Sequence, residues 1–238
     1  MNRFLVYFQK ILGTYQLKGY SDEILMAQKF NSTIMGSEWF RYKSISPGGS
    51  AVDYAFFYTL YRTLCSKKPK KVLEFGLGQS SKMVHQYADY YHANAITVEH
   101  DPQWVDFFNR EREGDYDIDV KIFELEEIQY GGGKSLTYRN CFETFKNDKF
   151  DLIIVDGPFG MNMKYSRTQI IDLAKHCIEN DFVIIIDDYQ RKGEQNTVKE
   201  IFTYFNQTGV EYVFREYKSL KSHILITNPE NRFLLTLG

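Results

Sequence analysis

The sequence predicts an α/β fold: a doubly wound, mostly parallel sheet that ends in an antiparallel hairpin, with a helical lid at its N-terminal side. Three observations carry this. From Lys71 onward, apolar runs of strand length alternate with helical patterns, as expected where strands are joined by crossover helices. Leu152–Val155 and Phe182–Ile186 are unbroken apolar runs, so they belong to strands covered on both faces. The chain closes with Tyr212–Tyr217 and His223–Thr227, two runs close enough for a hairpin.

Residues 1–65 read as a helical extension or lid and residues 66–238 as one further domain, with no Pro/Gly/Ser-rich linker between them. The cluster Ser46-Pro-Gly-Gly-Ser50 breaks the helical pattern. After it, Ala51–Cys65 reads as one helix with Val52, Phe56, Leu60 and Leu64 on a face. The expected parallel strands are Lys71–Phe75, Ala95–Glu99, Val120–Phe123, Asp151–Val155 and Phe182–Ile186. Met83, Val84, Tyr87, Ala88 and Tyr91 share one helical face, and Val198, Ile201, Phe202 and Phe205 another. Asp101 followed by Pro102 reads as a helix cap with proline at the first helical position, aiming Trp104, Val105 and Phe108 inward.

A net charge of −2 and a pI near 6.2 give no broad positive surface for nucleic acid or anionic lipid. The one basic run, Lys67, Lys68, Lys70 and Lys71, precedes a strand and reads as a solvated loop. Cys65, Cys141 and Cys177 lack metal-ligand spacing and an even number, which favours a reducing compartment. No apolar stretch suggests a membrane span or signal peptide, so the expected location is the cytoplasm. The 18 Tyr and 19 Phe read mainly as core and lid packing. No sequence feature sets an oligomeric state.

Three constellations carry chemistry. In Val72-Leu-Glu-Phe-Gly-Leu-Gly-Gln-Ser-Ser81 a strand enters a helix through Gly76 and Gly78. Glycine lets the backbone approach a ligand, and the helix start at Gln79, Ser80 and Ser81 offers N–H groups to a carboxylate or phosphate. A tight turn that binds nothing is the alternative. Dinucleotide loops place a third glycine where Ser81 stands, so the cofactor expected here lacks a pyrophosphate. Glu74 can accept, through water, from the ammonium group of a methionine moiety. In Thr97-Val-Glu-His-Asp-Pro-Gln-Trp104, Glu99 ends the second strand where an acid pairs with ribose hydroxyls, with His100 beside it; a solvated strand end is the alternative. Asp156, Asp187 and Asp188 follow apolar strands at their carboxyl ends. Converging acids need a cation or hydrogen-bond donors, and oxygen ligands suit Mg²⁺ or another divalent ion. Strand-end caps with a substrate-facing acid and no metal are the alternative.

These motifs resemble the Rossmann-like class I S-adenosylmethionine (SAM)-dependent methyltransferases. Asp156 with Ile186-Asp-Asp-Tyr189 is similar to the metal-dependent O-methyltransferases of the catechol and macrolide-sugar (macrocin) types, in which the acids hold a divalent ion that chelates the acceptor hydroxyl. Phe75–Gly78, Glu99–Trp104, Val155–Gly160, Arg167 and the Asp188, Arg191, Glu194 spacing resemble the plant glucuronoxylan (glucuronic acid 4-O-) methyltransferases. The likeness runs from about Lys71 to Glu194. Asp187 departs from the plant pattern, where histidine is expected, and Phe159 stands where the catechol type has a lysine base, with Lys164 too far along to replace it.

The resemblance implies methyl transfer from SAM to a hydroxyl of a sugar or uronic acid, in a glycan or its precursor. Asp156 is the expected base or metal ligand, Asp188 a second catalytic acid, and Arg167 a clamp for an acceptor carboxylate or, alternatively, the partner of a neighbouring acid. His100 and His223 are further base candidates that read better as structural. An NAD- or nucleotide-dependent oxidoreductase and a catalytically silent cofactor- or glycan-binding domain are the competing readings.

Overall fold

Helix α1 (Arg3–Ile34) opens the computed structural model, which describes residues 3–160 and 162–236, with side chains from Leu17 onward. Helix α2 (Tyr54–Lys67) starts where the Asp53 carboxylate accepts from the Phe56 N–H at 2.9 Å and ends at Lys68 in the left-handed region. The cap explains why this helix begins three residues after the expected start.

The alternating part follows as β1 (Lys71–Phe75), α3 (Gln79–Tyr91), β2 (Asn94–Glu99), α4 (Pro102–Glu111) and β3 (Asp119–Ile122). A separate hairpin, β4 (Leu125–Tyr130) and β5 (Gly133–Tyr138), then leads through α5 (Cys141–Phe145) to β6 (Phe150–Val155). The chain continues with α6 (Gln169–His176), β7 (Ile178–Ile186), α7 (Lys192–Thr208), β8 (Val213–Lys218), β9 (Ser222–Thr227) and a 3₁₀ segment, Pro229–Thr236.

The main sheet has the order β3-β2-β1-β6-β7-β9-β8. Its first five strands are parallel, and β9 runs antiparallel to β7 and β8. The strand order reverses between β1 and β6, the switch point beyond which open α/β sheets bind ligands. The expected strands form within a few residues of their predicted ends, β7 extending back to Ile178. The β4–β5 hairpin was not expected.

The unbroken apolar runs are explained by the two cores. Val72, Leu152, Val183 and Ile185 face one layer, while Leu73, Ile153, Ile184 and Ile186 face the other. Each fully buried side chain of this size stabilises the fold by roughly 1.5–3 kcal/mol. Phe30 and Ile34 of α1, Trp39, Phe40, and Phe56 and Leu60 of α2 belong to the first of these cores. Phe30 and Ile34 near the end of α1 and the buried face of α2 thus cover the sheet directly. No helix among the described residues is long and apolar enough to cross a membrane.

Candidate active site

Backbone register puts the chemistry in one row. Phe75 pairs with Val98 and Val155, and Val155 with Ile186, so Gly76, Glu99, Asp156 and Asp187 all stand at or just past the same edge of the sheet. Gly76 has φ +97, and a Cβ there would meet the Asp156 carbonyl carbon at 3.2 Å and the Gly157 nitrogen at 3.3 Å. Glycine is what lets the loop pass so close to the end of β6. Gly78 is extended, and a Cβ there meets nothing within 4 Å. It faces open space in a cleft of about 410 Å³ lined by Gly76–Ser80, Glu99–Asp101, Trp104, Tyr138 and Asp156–Phe159.

The loop is held from beneath. Glu74 is fully buried and accepts from the hydroxyls of Ser80 at 2.7 Å and Thr97 at 2.8 Å. Burial pushes its carboxyl up to about 7, against the lowering effect of the serine and threonine hydroxyls. His85 bonds the same Thr97 hydroxyl at 2.8 Å, and burial pulls its imidazole down to about 4. Ser81 accepts from the Gly78 N–H at 3.0 Å, closing the first turn of α3. Glu74 and Ser81 therefore lie under the cleft rather than in its lining, whereas Gly76, Gly78, Gln79 and Ser80 line it.

Glu99 ties the loop to the end of β2. One carboxylate oxygen accepts from the Leu77 N–H at 3.0 Å, and the other from the N–H groups of His100 at 2.6 Å and Asp101 at 3.0 Å. The His100 ring stands edge-on to Phe159 at the rim, 5.4 Å between centroids. Asp101 caps α4, accepting from Gln103 and Trp104. Val105 and Phe108 point inward as expected, but Trp104 does not. It turns onto the rim and donates its indole N–H to the Leu77 carbonyl at 2.7 Å, because helical spacing carries position 104 off the face shared by 105 and 108.

At the other end of the cleft, Asp156, Asp187 and Asp188 bring one carboxylate oxygen each within 4.8 Å of one another. Arg167 sits beneath them with its side chain 3% exposed. Its Nη2 donates to Asp188 at 2.8 Å and Asp156 at 3.3 Å, Nη1 to the Asp187 and Val155 carbonyls, and Nε to the Pro158 carbonyl. Burial disfavours its charge, yet Asp156, Asp188 and Glu194 hold the guanidinium above its ordinary range. Of the two readings of Arg167, a clamp for an acceptor carboxylate or a partner of neighbouring acids, these contacts match the second. Arg167 stands just ahead of α6 with φ 57, and Asp188 has φ 58. Two non-glycine residues in the left-handed region, joined by a buried ion pair, are held there by the surrounding contacts.

Arg191 adds a contact to Asp188 at 2.7 Å and approaches Glu194 at 3.8 Å. Burial raises the Asp156 carboxyl to about 6, with Arg167 opposing and Asp188 reinforcing the shift. Asp187 is raised well above the ordinary carboxylate range by burial and by Asp156 and Asp188. Both Asp187 oxygens are buried with no hydrogen-bond donor among the described residues. That orphaned carboxylate, in an all-oxygen set, fits a divalent cation.

Asp156 is the member of this cluster that lines the cleft. His223, a base candidate, is buried against Phe56 and Tyr217 and bonds Thr59 at 3.0 Å, and burial lowers it to about 4, which marks a packed residue. Lys164 donates to the Gly131 carbonyl, outside the cleft lining. Sequence reasoning missed Leu77, Tyr138 and Phe159 as lining residues, and Ser46, Ser50, Ala51 and Val52 at the mouth.

No family model and no curated protein matches the chain. Among solved structures, human methyltransferase-like protein 13 in complex with SAH is similar at 14% identity, covering 77% of this chain and 86% of that one, with a TM-score of 0.49. Spermidine synthase in complex with the transition state analogue AdoDATO is 13% identical, covering 71% of this chain and 60% of that one, with a TM-score of 0.45. The plantazolicin methyltransferase BpumL in complex with SAH is 11% identical, covering 92% of this chain and 98% of that one, with a TM-score of 0.44. Likeness at these levels assigns no activity, and the chemistry has to be read from the site itself.

Proposed function

We propose that this chain is a SAM-dependent O-methyltransferase acting on a hydroxyl of a sugar or uronic acid, in a glycan or a glycan precursor. The observation that carries the reading is the cleft at the switch point, with the Gly76–Ser80 loop and Glu99 along one side and Asp156 at the far end. Its volume of about 410 Å³ suits a small molecule. The open space at Gly78 and the start of α3 suit the amino-acid end of SAM, and Glu99 suits the ribose. The acceptor class is supported by the sequence resemblance between Lys71 and Glu194.

SAM supplies an electrophilic methyl group on a sulfonium, and the products are S-adenosylhomocysteine and a methyl ether. The chain has to hold the acceptor oxygen in line and remove its proton. Asp156 takes that proton, and its raised carboxyl makes it a stronger base than an ordinary aspartate while leaving it largely ionised at neutral pH. Arg167 fixes Asp156 from below. In the alternative role, Asp156 would with Asp187 and Asp188 hold Mg²⁺ or another divalent ion, which would lower the pKa of the acceptor hydroxyl and with it the need for a base.

Calorimetry with SAM and with NAD tests the cofactor: heat with SAM and none with NAD is expected, and the reverse result returns the oxidoreductase reading. Labelled methyl transfer to a uronic-acid-bearing glycan tests the acceptor and separates an enzyme from a silent binding domain. Turnover should fall as pH drops through about 6, because Asp156 must be ionised to accept a proton; a rate unchanged between pH 5 and 8 would remove it as the base.

A further inference from the structure

We propose that Lys221, a third cation beside Arg167 and Arg191 at the Asp187–Asp188 pair, competes with a divalent ion for it, an inference that rests on the metal-ligand reading of the three aspartates. Lys221 lies in the turn between β8 and β9, far from the acids in sequence. Its Nζ stands 4.0 Å from Asp187 Oδ2 and 4.0 Å from Asp188 Oδ1. It donates instead to the Ala51 carbonyl at 2.7 Å. The ammonium therefore adds its charge to that of Arg167 and Arg191 around the acids while leaving both Asp187 oxygens without a hydrogen bond.

Among the described residues three cations meet the acids, and of these Arg191 pairs with Asp188, 2.7 Å away, and does not touch Asp187. Arg167 is locked, its donors divided among three backbone carbonyls and two carboxylates. Lys221 is on a flexible stem rooted in a turn whose neighbour Leu220 is exposed, and it gives up one hydrogen bond on leaving. A divalent ion bound by Asp187 and Asp188 would come close to the ammonium, and like charges at such range oppose one another strongly when partly buried. Ion and lysine thus exclude each other. Because Ala51 lines the cleft mouth, the exchange also reaches the segment above the site.

Mn²⁺ binding to the full chain, followed by electron paramagnetic resonance, tests this with wild type, Lys221→Gln and Asp187→Asn. Glutamine keeps a donor for Ala51 and removes the charge. Lys221→Gln should bind Mn²⁺ at least roughly tenfold more tightly than wild type, and Asp187→Asn should abolish binding in either background. Equal affinity of wild type and Lys221→Gln, with Asp187 still required, overturns the competition and leaves the metal site standing. No Mn²⁺ bound by either protein overturns both. If thermal unfolding shows that Lys221→Gln does not fold, wild type answers the question. Acylation of Lys221 by a succinimidyl ester, read by peptide mass spectrometry, should rise severalfold with saturating Mg²⁺, and unchanged labelling overturns the proposal.

Discussion

Glu74 is legible in the sequence, yet its surroundings are set by the fold. Its position before Gly76 marks it in the sequence, but only the structure shows that it is buried under the loop, bonded to Ser80, which lines the cleft, and to Thr97 on the neighbouring strand. A carboxyl raised from 4.5 to about 7 contributes stability that is fully present below the lower value and is lost as pH rises through the upper one. Glu74→Gln removes that loss. Between pH 5 and 8 the variant should gain up to about 3 kcal/mol on wild type, measured by urea unfolding; parallel pH profiles would show that Glu74 is not raised. Gly78 offers the converse test. Its extended backbone accepts any side chain and its Cβ would enter open space, so Gly78→Val should cost about 1 kcal/mol, the loss of a favoured N-cap residue, while filling the cleft and abolishing the calorimetric response to SAM. A variant that still binds SAM normally would move the cofactor elsewhere.

At the scale of elements, periodicity and caps read well. Asp101-Pro102 starts α4 as the sequence says, and the apolar runs are the buried strands. The β4–β5 hairpin escaped, although Tyr130-Gly-Gly-Gly-Lys134 carries a turn signal between Leu125–Tyr130 and Lys134–Tyr138. Its strands are mixed in polarity because they pair only with each other, so they lack the unbroken apolar run that identifies the central sheet. Tyr138, a lining residue, was missed with it. The cap of α2 has a wider reach. Asp53 accepts from Phe56, Ser219 and Lys221, tying α2 to the β8–β9 turn. Asp53→Ala should therefore cost about 2 kcal/mol, at the upper end for a helix cap; thermal unfolding that shows no loss would reduce the residue to a bystander.

For the molecule as a whole, the packing of Phe30 with Phe57 and Tyr61 makes α1 part of the core over the sheet. We infer that the end of α1 around Phe30 and helix α2 unfold together with the remainder. Phe30→Ala should lower stability by ~3–5 kcal/mol in one cooperative transition seen alike by circular dichroism and tryptophan fluorescence. Two separated transitions would instead make the N-terminal helices an independent unit.

The sequence by itself determined the doubly wound class, the strand-end row of acids and the glycine loop, because each is written in local spacing: apolar runs, caps, and residues next to strand ends. Tertiary structure decided the rest. Arg167 became a buried partner of Asp156 and Asp188, and Trp104 became a rim residue. Lys221 arrived beside Asp187 from a turn that no spacing rule connects to it. Orientation and long-range approach depend on how strands are ordered and how closely helices pack, and a linear pattern does not contain those distances.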